Sequence, residues 1–153
     1  MAEYAFNQVQ TVQPNQAVLL NTVIPCNKGY VYHREQSGIL TLRGKVNCPC
    51  ACFARYQVTF NGNIAIPPEG GTVGPISISL AIDGEPIPTS RAIVTPAAAG
   101  DYFNVTSTAI ITVPKGCCFN VSVENTSESA TPATTPAPAI TVQNANLTVS
   151  RIA

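Results

Sequence analysis

The chain has 153 residues, which is enough for one domain with a sizeable buried core and short for two. Charged residues make up only 10% of it, and eight Lys and Arg balance eight Asp and Glu, so we expect neither nucleic acid nor a membrane as a partner. No run approaches the roughly 20 apolar residues of a membrane span, and the first residues lack a basic start followed by an apolar run, so we expect synthesis in a cytosol without secretory export.

Apolar and polar residues alternate along most of the chain, and 13 prolines interrupt it, so the pattern predicts strands and no helix. Strands are predicted over residues 4–12, 18–24, 29–33, 39–43, 51–66, 76–83, 87–95, 102–113, 117–123 and 140–152. About ten strands with turns at this spacing indicate an all-β, two-sheet antiparallel jelly roll, which we expect to form a single domain over residues 1–153.

Two pairs of neighbouring strands look like hairpins. The first joins 51–66 to 76–83 through a Pro- and Gly-rich turn. Its first strand is predicted to have Tyr56 and Phe60 on the buried face, and its second strand to have Ser77 and Ser79 on a solvated face. The second joins 102–113 to 117–123 through the tight turn Pro114-Lys115-Gly116. Each hairpin would bury its apolar face against the other sheet.

The last predicted strand changes phase, because its apolar residues fall on even positions up to Val142 and on odd positions from Leu147. Such a change is typical of a β-bulge, which we place at Asn144 and Ala145. Before that strand, residues 126–139 form a Thr-, Ala- and Pro-rich stretch without periodicity, which predicts a flexible surface loop. The loops 67–74, 96–101 and 127–139 are candidate contact surfaces.

Catalytic chemistry has little support in the sequence, and we predict a non-enzymatic protein without a cofactor or metal. The one histidine, His33, could pair with Ser37 in a hydrolase, but a loop histidine is more often a surface or interface hydrogen-bonding residue. Glu69, Asp83 and Glu85 could meet at one end of the sandwich, although their spacing does not supply a calcium site and solvated turn residues are the simpler interpretation.

The cysteines are the strongest chemical candidates. Three alternate in Cys48-Pro49-Cys50-Ala51-Cys52 and would point to one side of an extended chain. The others are Cys26 and the adjacent pair Cys117 and Cys118. Their spacing is not that of a zinc site, which leaves buried free thiols, or disulfides of undetermined connectivity formed in an oxidising environment.

Several stretches together resemble a known family: VYHREQSGILTLRG, ARYQVTFNGNIAIPPEGG, ISISLAIDGEPIPTS and ITVQNANLTVSRIA. They are similar to the TNF-like jelly-roll domains, related to the globular head of complement. Bacteria carry such domains at the ends of collagen-like surface and spore-coat proteins, and Firmicute phages carry them as head-fibre or capsid-decoration proteins.

The resemblance implies a jelly roll that assembles as a homotrimer and docks to a capsid or other virion protein. The chain lacks a Gly-x-y repeat, which favours a virion component made in the host cytoplasm over a bacterial cell-surface or spore protein. The alternative function is an adhesin of a phage tail or baseplate, or of a bacterial or spore surface, that binds a host surface glycan or another host receptor, since jelly rolls also form lectins. Its sugar-stacking aromatics would come from Tyr4, Tyr30, Tyr32, Tyr102 and Phe103.

Overall fold

The computed structural model describes residues 1–24, 29–129 and 136–153, which form two six-stranded antiparallel sheets and one 3-10 turn, Pro88–Ser90. Sheet I consists of β1 (Ala2–Phe6), β2 (Gln10–Val12), β3 (Thr22–Ile24), β6 (Phe53–Ala65), β10 (Phe103–Pro114) and β12 (Ile140–Arg151). Sheet II consists of β4 (Val31–His33), β5 (Leu40–Arg43), β7 (Ile76–Ile82), β8 (Glu85–Pro86), β9 (Ala92–Val94) and β11 (Cys118–Asn125). These ranges contain no helix that is long and apolar enough to cross a membrane.

The two sheets face each other across one apolar core, as the alternating sequence predicts. Sheet I has the strand order β10-β6-β12-β1-β3, with β2 beside the start of β12, and sheet II has the order β4-β5-β11-β7, with β8 and β9 both on β7. Along β6 the even residues are buried and most odd residues are exposed, so Tyr56 and Phe60 point into the core. Leu42, Leu80 and Val123 of sheet II are also fully buried in it.

Neither predicted hairpin forms. β6 pairs with β10 and β12, whereas β7 pairs with β11, so the first connection crosses from sheet I to sheet II. β10 pairs with β6 while β11 pairs with β5 and β7, so the second connection crosses in the same way. The turns themselves were predicted correctly, but each must span the roughly 10 Å between packed sheets. A local pattern shows that two strands are joined, and the closure of the whole sandwich decides which strands pair.

β7 is buried on both faces, which corrects the prediction of a solvated face. Ser77 and Ser79 are each 1% exposed. Their hydroxyls both lie within hydrogen-bond distance of Thr126 Oγ1, at 3.1 and 3.0 Å. The chain that follows β11 therefore folds back over the outer face of β7 and covers it.

The phase change in β12 is a β-bulge, as predicted. Gln143 lies opposite Asn63 and Asn146 lies opposite Asn61, so two residues of β12 face the single Gly62 of β6. Asn144 takes a positive φ of 53°, a conformation that asparagine tolerates better than most residues. The extra residue keeps the apolar side chains on both sides of the bulge directed into the core.

Glu124 is a buried carboxyl on the outer face of sheet II, in β11. The hydroxyl of Ser122 donates a hydrogen bond of 2.9 Å to its Oε1. Burial raises the pKa of the Glu124 carboxyl; the Ser122 hydrogen bond opposes this rise, and the negative charge of Glu85 adds to it. The folded protein therefore binds a proton here more strongly than the unfolded chain does.

We predict that Glu124→Gln increases thermal stability at about pH 7 and that this gain shrinks towards about pH 4. Above the raised pKa, the folded state holds a buried charged carboxylate, which lowers its stability. As the pH falls through that pKa, the carboxylate binds a proton and this loss of stability disappears. Glutamine keeps an acceptor for Ser122 without the charge. Melting temperatures at both pH values measure the effect, and Glu35→Gln at an exposed turn residue is the matched control. Equal changes for both variants would contradict the prediction.

Candidate functional site

The three predicted contact loops lie at the same end of the sandwich. The amide of Gly100 donates a 2.9 Å hydrogen bond to the carbonyl of Ile66, which joins loop 96–101 to loop 67–74. The side-chain amide of Asn125 donates a 3.0 Å hydrogen bond to the carbonyl of Pro138, which anchors the return of the third loop. We call this end, formed by residues 67–75, 96–101 and 136–139, the loop end.

A cleft of about 470 Å³ opens at the loop end. Loop 67–75 forms one side of it, residues 136–139 form the other, and Thr11 and Gln13 complete the lining. Its titratable lining residues are Glu69 and Glu128. The lining is mostly glycine, proline and alanine, which suits contact with a ligand or partner by shape more than by charge.

Arg91 fixes one side of this cleft. Its Nη1 lies 2.8 Å from Glu128 Oε1, its Nη2 donates to the carbonyl of Thr126 at 3.1 Å, and its Nε donates to Ser77 Oγ at 3.1 Å. The guanidinium therefore ties the chain after β11 to the outer face of β7. A planar group with several fixed donors is well suited to this role.

Asn125 fixes the third loop at both of its described ends. Its side-chain amide donates 3.0 Å hydrogen bonds to the carbonyls of Val12 and Pro138, and its Oδ1 accepts a 3.0 Å hydrogen bond from the amide of Ser127. Asn125 is fully buried, and Ser127 is buried beside it. Residues 130–135 lie outside the described residues, so flexibility within this loop stays a prediction.

The candidate aromatics do not gather into one sugar-binding platform. Tyr4 is buried and its ring packs against His33 with the ring centres 5.0 Å apart. Tyr30 stacks under the guanidinium of Arg151, and Tyr32 is exposed near Arg43. The remaining two stand at the loop end, where Tyr102 is 40% exposed and Phe103 is 42% exposed.

His33 makes a structural contact with Ser37 that does not activate its hydroxyl. Its Nε2 lies 2.9 Å from the carbonyl oxygen of Ser37, and because that oxygen can only accept, the ring nitrogen donates. The Ser37 hydroxyl donates to the carbonyl of Arg34 and accepts from the amide of Ile39, so it closes the local turn. The nucleophile and base arrangement considered for a hydrolase is not formed by this pair.

The three turn carboxylates do not meet. Glu69 stands at the loop end. Asp83 lies at the far end of β7, where its carboxylate accepts a 3.0 Å hydrogen bond from the amide of Asn120. Asp83 and Gly84 form a two-residue hairpin turn with positive φ at both positions, and Glu85 starts the next strand. The suggested convergence is wrong because the length of β7 separates Glu69 from the other two.

Five cysteines lie together at the opposite end from the loops. Cys48, Cys50, Cys52, Cys117 and Cys118 are all exposed and unbridged, which contradicts burial of these thiols. We call this end, formed by residues 44–52 and 114–118, the thiol end. Residues 48–51 form a turn closed by a 3.1 Å hydrogen bond from the amide of Ala51 to the carbonyl of Cys48. The segment is therefore not extended, and an extended chain is the condition under which its three thiols would point to one side. Cys26 lies outside the described residues.

One long edge of the sandwich is uncharged. Strand β10 has a single strand partner, β6, within the described parts of the chain, and none of its 12 residues is charged. Ile110 is 63% exposed on its outer side. Natural sheet edges of this length are usually protected by charges, prolines or a covering segment. An edge that has no charge, and whose one proline, Pro114, is its last residue, is suited to contact with another chain.

Comparison with solved structures identifies the fold. The structure is similar to the globular domain of zebrafish complement 1qA protein, with a TM-score of 0.51 and 16% identity over 96% of this chain and 94% of that chain. It also matches the C-terminal domain of the sugar-binding protein EclA (TM-score 0.42, 14% identity, 95% and 79% covered) and the CBM22-1 xylan-binding domain of Paenibacillus barcinonensis Xyn10C (TM-score 0.39, 10% identity, 99% and 94% covered). No protein-family model and no curated protein sequence matches the chain.

The similarity to the complement globular domain and the two antiparallel sheets show an all-β jelly roll, as the sequence predicted. At 16% identity this similarity shows the architecture and not the ligand. The function must therefore be argued from this chain's own surfaces.

Arg91, Asn125 and the cleft residues Thr11 and Gln13 were not singled out from the sequence. No local signal distinguishes them, because Arg91 and Asn125 bond to groups remote in the chain, and Thr11 and Gln13 line a cleft whose other walls are remote in the chain. Val12 and Asn125, for example, are 113 positions apart.

We predict that Asn125→Ala lowers the free energy of unfolding by about 2–3 kcal/mol, because it leaves buried backbone groups without partners. It should also speed proteolytic cleavage within residues 126–139. Urea unfolding and limited proteolysis with mass mapping measure the two effects. Asn120→Ala is the control, since that exposed side chain accepts one hydrogen bond, from Thr41. Stability and cleavage equal to those of the control would contradict this role for Asn125.

Proposed function

We propose that this chain is a non-enzymatic structural and interaction protein that assembles as a homotrimer and decorates a bacteriophage particle, as a head fibre or capsid-decoration protein. The observation that carries the proposal is the uncharged 12-residue edge strand β10, with Ile110 and Phe103 exposed along it. A chain with so few charges keeps such an edge from uncontrolled pairing by covering it with a defined partner. A second copy of the same chain is the partner we propose.

The outer face of sheet I supports this assignment. Its side chains are joined across strands by hydrogen bonds between uncharged groups, such as Thr59 with Thr108 at 3.1 Å and Thr106 with Asn61 at 3.2 Å. Asn104 donates to Asn63 at 3.2 Å in the same row. A face that is already ordered loses little side-chain freedom on contact. The strands of sheet I carry two charged side chains on this face, Glu3 and Arg55, so its burial removes water from few charges.

The outer face of sheet II is less suited to burial. It carries the ion pair between Arg91 and Glu128 and the carboxyl of Glu124. Its most exposed apolar residue is Ile93, 57% exposed on β9. Burying this face would enclose more charge for the same area, so we assign self-assembly to sheet I and the β10 edge.

Assembly through sheet I leaves the loop end for other partners. The loop end offers a cleft and three neighbouring loops. We propose that this end either docks to a virion protein or faces outward from the particle. The threefold count, the virion and the phage come from the resemblance of the sequence to phage head-fibre and decoration proteins. The same domain type on a bacterial cell or spore surface is the other location consistent with that resemblance.

A glycan-binding adhesin is the second candidate function. It is favoured by Tyr102 and Phe103, which are adjacent and exposed at the loop end. Sugars commonly stack on exposed aromatic rings, and such contacts do not need charge. This function would use the same end of the molecule that we assign to docking.

We predict that the chain in reducing buffer has the mass of three 16.0 kDa subunits by light scattering. Ile110→Lys should shift it to monomers, because each copy would bury a charge at the contact. Ile93→Lys, which places the same charge at a similarly exposed position on the outer face of sheet II, should leave the trimer intact. A monomeric parent chain, or dissociation by Ile93→Lys alone, would overturn the assignment.

Particle decoration and glycan binding are separated by two measurements on the trimer. We predict that antibody raised against the chain labels phage particles from the source bacterium in electron microscopy and that the protein shows no selective binding on a glycan array. Selective glycan binding that is lost in a Tyr102→Ala/Phe103→Ala variant, without labelling of particles, would favour the adhesin. Tyr32→Ala is the control for loss of an exposed tyrosine elsewhere.

A further inference from the structure

The thiol end is a surface that backbone hydrogen bonds hold in place, and not a single cysteine-rich loop. Its two segments are more than 60 positions apart in sequence and are joined by backbone hydrogen bonds. The amide of Lys115 donates to the carbonyl of Cys52 at 2.9 Å, and the amide of Gly44 donates to the carbonyl of Cys117 at 2.8 Å. The ammonium of Lys115 also reaches the carbonyl of Pro49 at 3.3 Å.

Gly44 is the point of closest approach between these segments. A Cβ at this position would lie 1.8 Å from the carbonyl oxygen of Pro114, so only glycine fits without moving the backbone. The amide of Gly116 in turn donates to the carbonyl of Gly44 at 3.0 Å. The fold therefore brings five thiols to one end and holds their backbone in place.

The exposure of all five thiols decides what they can react with. A buried cysteine behaves as a small apolar residue and is chemically inert, whereas an exposed thiol meets solvent, oxidants and other molecules. A structural thiolate–metal site would need about four converging ligands. The described residues contain no group of three or more His, Cys, Asp or Glu side chains placed to hold a metal ion.

The charge around the thiol end favours anionic redox partners. Arg43 lies opposite Cys118 in the sheet, and Lys45 and Lys115 flank the two cysteine segments. The single ion pair in the described ranges is the one at Arg91, so these three cations have no acidic partner there. Glutathione disulfide carries several carboxylates, and local positive charge raises the concentration of such an anion at the surface.

We propose that the thiol end is a covalent cross-linking site, where cysteines of one copy form disulfides with cysteines of a second copy once the protein meets an oxidising environment. This inference rests on the self-assembly proposed above, which brings copies together without covalent bonds. Reduced cytosol would keep the thiols free during synthesis and assembly, and release from the cell would lock the assembled copies.

The chemistry balances with a small disulfide as oxidant. A cysteine thiolate attacks one sulfur of glutathione disulfide, forms a mixed disulfide and releases one glutathione. A thiolate from the second copy then attacks the cysteine sulfur of the mixed disulfide, forms the interchain bond and releases the second glutathione. Two cysteines lose two electrons, glutathione disulfide gains them, and the two thiol protons end on the two released glutathione molecules.

In the test, the reduced full chain is incubated in a glutathione redox buffer, and the remaining free thiols are then alkylated. Non-reducing gel electrophoresis and intact mass measure the covalent multimers and the number of disulfides. We expect covalent multimers from the parent chain and from Cys26→Ser. A variant with serine at Cys48, Cys50, Cys52, Cys117 and Cys118 should lose them roughly tenfold or more. Variants with serine at either segment alone show which group bonds to which.

Three outcomes would overturn the proposal. The first is a monomer whose mass is lower by two hydrogens per disulfide, because its bonds are then within one chain. The others are six alkylated cysteines after oxidation, and multimers that persist in the five-serine variant. Light scattering in reductant is measured in parallel. A trimer there without covalent bonds under oxidation defeats only the cross-linking, whereas a monomer there defeats the proposed assembly itself.

Discussion

The backbone pairing of β6 is the constraint on which the rest of the structure depends. This strand bonds to β10 on one side and to β12 on the other along nearly its whole length. Because side chains alternate across a strand, that register fixes which residues of three strands enter the core. It also fixes the two ends, since loop 67–75 follows the last residues of β6, and Cys48, Cys50 and Cys52 precede its first ones.

Much of this could be predicted from the alternation of the sequence alone. The period of two along β6 correctly placed Tyr56 and Phe60 inward, and the phase change in β12 correctly located the bulge at Asn144. Both signals are local, because they depend on how each residue relates to its immediate neighbours. The long strands and their facing could therefore be predicted from local pattern. The shorter ones were predicted less well: the predicted strand 4–12 is two strands, β1 and β2, the predicted strand 18–24 begins only at Thr22, and the predicted strand 87–95 includes the 3-10 turn before β9.

The remote relations could not be predicted in the same way. The pattern around residues 66–75 is the same whether the next strand returns beside β6 or crosses to the other sheet, so the hairpin prediction failed. The sequence predicts that Ser77 and Ser79 are solvated, but in the structure Arg91 and Thr126 cover them. The gathering of Cys52 and Cys117 at one end likewise depends on backbone bonds between distant segments. The residue types of the candidate site could thus be read from the sequence, but their positions in the fold could not.

The scarcity of charge on the outer face of sheet I, whose strands carry Glu3 and Arg55 there, has a consequence for the conditions under which an assembly would hold. Coulomb attraction between exposed groups weakens as salt is added, with a screening length of about 8 Å at physiological ionic strength. Contacts made by Thr59, Thr108 and Ile110 do not depend on that attraction. An assembly that forms through this face would therefore stay intact both at very low ionic strength and in concentrated salt.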